Sequence, residues 1–227
     1  MKNLIQVAGI IDKEEASMVM NAGVHYLGFP LRLPVNKEDL TEQEAIEVIK
    51  TIRPPYQSVL ITYLNEAEEI IKFCDKLNVN IVQLHGKITK EELQKTKEHR
   101  PGLEIIKSLV VAANNYSELE TMVYTLSPWT DAFITDTFDP ATGAEGATGR
   151  THDWSISKKL IEISSKPVII AGGLNPGNVK KAIMEIHPAG VDVHTGVENK
   201  SGRKDHELVV KFVQQAQEGF AAVNELV

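Results

Sequence analysis

The chain holds a single cysteine, Cys74. An internal disulfide is therefore excluded, and a reducing, cytoplasmic setting is expected. No apolar run is long enough to cross a bilayer. The opening residues, Met1-Lys2-Asn3-Leu4-Ile5-Gln6-Val7, lack the apolar centre of a secretion signal and read as a strand. Basic charge is not in excess: 24 Lys and Arg stand against 31 Asp and Glu, a net −7 at pH 7. That balance argues against nucleic acid or an anionic membrane surface as the main partner, although a few local donors can still hold a small anion. The seven histidines show no metal-ligand spacing, so no metal is expected. Low-complexity runs and linker-like stretches are missing too. The 227 residues suit one domain, 1–227, with a full core.

What is present is alternation. Short apolar runs at 4–8, 25–29, 58–62, 81–84, 105–110, 132–135, 168–171 and 191–194 read as strands. Helical patterns at 13–21, 42–52, 67–77, 90–98, 117–126, 155–163, 176–186 and 205–218 follow them in turn. Strands of continuous Val, Ile and Leu imply a parallel sheet covered on both faces. Eight such βα units predict an α/β fold, a single (β/α)8 TIM barrel, with a doubly wound open sheet as the alternative. In a barrel the chemistry belongs at the C-terminal strand ends.

Several strand ends carry candidates. The sixth runs into Asp136, and a long Gly- and Thr-rich loop to Trp154 follows. An acid under such a loop suits proton transfer; a solvated acid capping its own loop is the bland alternative. Asp139 and Asp153 read as turn or cap residues, and Asp12 as the N-cap of the first helix. After strand seven, Ala171-Gly172-Gly173-Leu174-Asn175-Pro176 offers two glycines for close approach to an anion. Asn175 and Pro176 then read as N-cap and first residue of a helix whose positive end faces the same spot. Strand eight ends His194-Thr195-Gly196-Val197-Glu198. Loops seven and eight are the usual phosphate site of this barrel class, which makes Gly172, Gly173, Thr195 and Gly196 phosphate candidates; tight turns that need glycine are the alternative. Gln83 and His85 share one side of strand four and suit substrate binding or a polar rim. Arg32 suits a substrate carboxylate or plain solvent. Lys107 on strand five could form a Schiff base, as in a lyase or aldolase, or merely line the barrel. Cys74 lies in a helical pattern and reads as structural.

These blocks together resemble the phosphoribosylanthranilate isomerase family, tryptophan-pathway enzymes with a (β/α)8 fold. The resemblance spans nearly the whole chain. It is carried by 83–86, by Asp136-Thr137 with 146–154, by 171–179, and by Pro188-Ala189-Gly190-Val191-Asp192-Val193-His194-Thr195-Gly196-Val197-Glu198. It implies a cytoplasmic, cofactor-free Amadori isomerisation of an N-phosphoribosyl aminobenzoate or a related phosphosugar amine, by a monomer or homodimer. Asp136 matches the general acid, and Asp192 and His194 fall among the substrate-binding positions. The family's strand-one Lys-Ile-Cys-Gly pattern, whose cysteine is the general base, is Gln6-Val7-Ala8-Gly9 here. The Ser-Pro-Arg pattern is matched only loosely by Pro30-Leu31-Arg32, and His194 stands where the family has a small residue. A methyl group accepts no proton, so another group must act as base, or the chain is a paralogue that binds a phosphoribosyl ligand without this isomerisation. His194, Asp12 and His85 are the bases the sequence offers.

Overall fold

A computed structural model describes residues 2–34, 39–112, 114–139, 144–145 and 154–225. Among them, eight parallel strands close into a barrel: β1 (Leu4–Ala8), β2 (Tyr26–Pro30), β3 (Gln57–Thr62), β4 (Ile81–Leu84), β5 (Glu104–Val111), β6 (Ala132–Asp139), β7 (Val168–Ile170) and β8 (Gly190–Val193). Each strand pairs with its sequence neighbours, and β8 returns to β1 with Gln6 opposite Asp192. The β5–β6 pairing, Ile106 opposite Ala132 through Val111 opposite Thr137, belongs to this ring. Helices α1 (Lys13–Asn21), α2 (Glu42–Ile49), α3 (Ala67–Leu77), α4 (Lys90–His99), α5 (Tyr116–Leu126), α6 (Trp154–Ile163), α7 (Val179–Ile186) and α8 (His206–Asn224) follow the strands in turn.

Both faces of the strands are apolar because both are buried. Leu4, Ala8, Val59, Ile61, Ile81, Ile106, Ala132, Ile134, Ile169 and Ala171 pack inside the barrel. Their strand neighbours, such as Val7, Leu60, Val82, Phe133 and Val191, pack outward against the helices. Side-chain oxygens start several helices where their sequence predicts a cap. Asp12 accepts from the Glu15 N–H at 2.8 Å, Thr41 and Glu44 form a reciprocal capping box, and Asp205 accepts from the Leu208 N–H at 3.1 Å.

Four boundaries differ from expectation by three residues or more. Helix α2 stops at Ile49 rather than residue 52, because the chain must become extended before Pro54 and Pro55. Helix α7 starts at Val179, with Asn178 as N-cap instead of Asn175. Helix α8 runs on to Asn224, since Ala216, Gly219 and Phe220 continue its buried face. Strand β6 reaches Asp139, and Phe138 and Asp139 pair antiparallel with Glu145 and Ala144; Asp139 is therefore a strand residue, not a turn residue. The remainder of the glycine-rich segment, with Asp153, lies outside the described residues.

Candidate active site

Alternation on two strands brings three inward-facing residues to one end of the barrel: Asp136 from β6, and Asp192 and His194 from β8 and its end. They line a cavity together with Gly172, Gly173, Thr195 and Gly196. The two glycines after β7 sit at φ +88° and +65°, a region that disfavours side chains. Their N–H groups find no acceptor among the described residues. Asn178 turns its side chain back, accepting from the Asn175 N–H at 2.8 Å and donating to the Gly173 carbonyl at 2.9 Å. Asn175 in turn accepts from the Gly177 N–H at 2.8 Å. This side-chain turn fixes the β7 loop and delays the helix by three residues. Gly196 is needed for a second reason: a Cβ there would lie 1.9 Å from the Leu174 carbonyl oxygen. The two loops are thus locked against each other. Free N–H groups on a concave turn can hold an anion.

A polar layer crosses the barrel interior beneath the mouth. Gln6 Nε2 donates to Gln83 Oε1 at 2.9 Å, and Gln83 Nε2 lies 2.7 Å from His85 Nε2. The amide donates there, which assigns the His85 proton to Nδ1. Burial and the Lys107 ammonium push His85 down to about 3, so its ring is neutral at pH 7. Gln6 Oε1, His85 Nδ1, Ser108 Oγ and Asp192 Oδ1 are buried with no hydrogen-bond partner among the described residues. Ser108 falls inward by alternation with Ile106. Four such orphans in one region call for a partner that the described residues do not supply. Burial lifts Asp192 to about 7, against the Gln6 amide, Lys204 and the Val193 N–H, which favour its charged form.

The imidazole of His194 lies over the end of β1. Gly9 has φ +78°, and a Cβ there would sit 2.0 Å from His194 Nε2. Glu198 and Asp39 carboxylates lie 3.5 and 3.8 Å from that nitrogen. Glu198 already pairs with Lys204 at 2.6 Å, and the Lys204 ammonium also reaches the His194 carbonyl at 3.3 Å. Burial and this ammonium hold His194 down to about 3. Sequence reasoning missed Gln6 and Lys204 as site residues. A lone Gln inside a strand that otherwise reads Leu-Ile-Val-Ala was the available signal for the first. Nothing in the polar run around Lys204 marks its fully buried side chain.

Other candidates point elsewhere. Arg32, at φ +56°, donates from Nε to Glu42 at 2.8 Å and stacks over Phe73 at 3.8 Å, at the rim beyond β2. Lys107 alternates outward with Ile105 and Leu109, and Nζ donates to the carbonyls of Leu84 and Ser108 at 3.1 and 2.7 Å. It does not face the barrel interior, where a Schiff base would have to form. Asp12 caps α1 and pairs with Arg203 at 2.7 Å. Cys74 is buried in α3 and its thiol is pushed up to about 12, so it is inert. Among the described residues no cluster of His, Cys, Asp and Glu is placed to hold a metal, and no helix is long and apolar enough to cross a membrane.

The chain is similar to known proteins over nearly its whole length. The family model described as N-(5′-phosphoribosyl)anthranilate (PRA) isomerase matches residues 5–215. A Methanosarcina mazei protein named N-(5′-phosphoribosyl)anthranilate isomerase 2 is 36% identical over 226 residues, covering 98% of this chain and 97% of its own. The crystal structure of phosphoribosyl anthranilate isomerase from Thermotoga maritima superposes with a TM-score of 0.80 at 27% identity, over 95% of this chain and 98% of that one. A phosphoribosyl anthranilate isomerase solved in complex with reduced 1-(o-carboxyphenylamino)-1-deoxyribulose 5-phosphate gives 0.78 at 25% identity over the same shares.

Proposed function

Because the chain belongs to the N-(5′-phosphoribosyl)anthranilate isomerase family, we propose that it isomerises N-(5′-phosphoribosyl)anthranilate, in tryptophan biosynthesis in the cytoplasm. The observation that carries this reading is the shared cavity of Asp136, Gly172, Gly173, Thr195 and Gly196. The glycine N–H groups and the N-terminal end of α7 hold the 5′-phosphate. That anchor sets the sugar across the barrel mouth. Asp136 delivers a proton to the ribose ring oxygen, which opens the ring. Gln83 and His85 meet the sugar hydroxyls through the layer that now holds unpaired buried atoms. Arg32 takes the anthranilate carboxylate in competition with Glu42. No cofactor enters the reaction, and the chain acts as a monomer or homodimer on a small phosphorylated sugar.

Freshly prepared phosphoribosylanthranilate tests this reading directly. The expected result is wild-type turnover that Asp136→Asn lowers by about 10²–10⁴-fold, the usual worth of a general acid. An Asp136→Asn enzyme as fast as wild type would sink the assignment. Ala8 favours a second reading, in which the cavity binds a phosphoribosyl ligand without turnover. Tight binding of the reduced product analogue with no isomerisation in any assay would select it.

A further inference from the structure

Position 8 faces the barrel interior as a methyl group, so the isomerisation proposed above lacks a base for the C2′ proton. Of the titratable groups near the mouth, Asp12 is tied to Arg203 and to its own helix. The Nε2 lone pair of His85 already accepts from Gln83. His194 shares its surroundings with Lys204, which disfavours a second positive charge. Asp192 is left. Its Oδ1 is buried and unpartnered among the described residues, and its side chain lines the same cavity as Asp136 and the phosphate glycines.

The residue opposite Asp192 in the β1–β8 register is Gln6. The family pattern has a lysine at that position and a cysteine two residues later; this chain has Gln6 and Ala8. A lysine at 6 would pair with Asp192 and keep it a weak base. A glutamine cannot. One departure from the pattern removes the thiol, and the other gives Asp192 a neutral hydrogen-bond donor in place of a cation.

We propose that Asp192 is the general base of this chain, taking over from residue 8. After ring opening, the Asp192 carboxylate takes the proton from C2′. The C–H electron pair forms the C1′=C2′ bond and neutralises the iminium nitrogen. C1′ then takes the proton held by Asp192 as the enol hydroxyl gives its proton to the Asp136 carboxylate, which yields the amino ketose and returns both acids to their starting forms. Atoms and charge balance with no outside oxidant. Burial lifts the basicity of Asp192 toward neutral, where a general base is most effective, and pushes that of His194 down. The charged and titratable groups around it are Asp136 on β6, His194 and Glu198 beyond β8, Lys204 before α8, and His85 on β4 beyond Gln83.

This inference rests on the isomerase reading, and the test separates the two. Rates and pH profiles are measured for wild type, Asp192→Asn, Gln6→Lys, Ala8→Cys and the double variant Asp192→Asn/Ala8→Cys, alongside binding of the reduced product analogue. Asp192→Asn is expected to lower kcat by about 10²–10⁴-fold while the analogue still binds. Gln6→Lys is expected to move the acidic limb of kcat/KM down by about one pH unit or more. Ala8→Cys is expected to restore turnover in the double variant. An Asp192→Asn enzyme with unchanged kcat and a raised KM would make Asp192 a sugar ligand and overturn the proposal. So would an inactive wild type that Ala8→Cys activates, which leaves the isomerase scaffold standing. Failure of every variant to bind the analogue overturns the isomerase reading itself, and this inference with it.

Discussion

Ionising Asp192 inside the barrel works against folding. Its carboxyl is lifted from 3.8 to about 7, first by burial. Below pH 3.8 the group is protonated whether the chain is folded or not, and the full stability is present. As pH rises through about 7 the unfolded chain gives up its proton first. The loss reaches roughly 4 kcal/mol above neutrality, at 1.36 kcal/mol per unit. Asp192→Asn is therefore expected to match wild type in thermal denaturation at pH 4 and to exceed it by several degrees at pH 8. Equal melting temperatures at both pH values would refute the burial argument. His85 shifts the other way: its stabilising contribution is present above pH 6.5 and lost as pH falls toward 3. Residue type and strand position made Asp136 and the loop glycines legible in the sequence, while Asp192 entered only through the family resemblance. The Gln6–Gln83–His85 chain was not legible, since it depends on register between β1 and β4, which are not neighbours. Nor was the placing of the His194 ring over Gly9, which depends on one side-chain rotamer.

At the scale of elements, two loops make the anion cradle, and each depends on the other. The Gly196 Cα approaches the Leu174 carbonyl so closely that a methyl group would overlap it at 1.9 Å. The obstacle is backbone, which cannot swing aside as a side chain does. Gly196→Ala should push the β8 loop off the β7 loop, at a cost of about 1–3 kcal/mol. Isothermal titration with the reduced product analogue should then show at least about a tenfold weaker affinity, which equals 1.4 kcal/mol. Unchanged affinity would mean that the two loops do not hold the phosphate together. The sequence placed both loops after the correct strands. It misplaced the start of α7, because Asn-Pro at 175–176 imitates a cap and first turn. The competing side chain of Asn178, bonded to the Asn175 N–H and the Gly173 carbonyl, decides the matter locally.

Across the whole molecule the barrel separates chemistry from stability. Eight βα units were legible because every strand is apolar on both faces; ring closure follows once eight of them pair in order. The opposite end carries staples rather than a site. At the seam of β5 and β6, Asp131 accepts from Lys97 Nζ at 2.6 Å and from the Ile105 N–H at 2.7 Å. Lys97 also donates to the Leu103 carbonyl at 2.8 Å, so one carboxylate joins α4, β5 and the lead into β6. The ion pair alone is worth little, since Asp131 is partly exposed. The Ile105 N–H is the larger matter, because Ile105 is buried and Asp131→Ala leaves that donor without its partner. Such a loss costs about 1–3 kcal/mol, or roughly 3–10 °C of melting temperature in a domain of this size. The C-terminal strand ends are untouched, so kcat should stay within about twofold of wild type, as expected of residues at the stability end of such a barrel. Calorimetry and turnover on the same Asp131→Ala preparation check both halves. A large fall in kcat without a fall in melting temperature would show that the two ends of the barrel are coupled rather than separate.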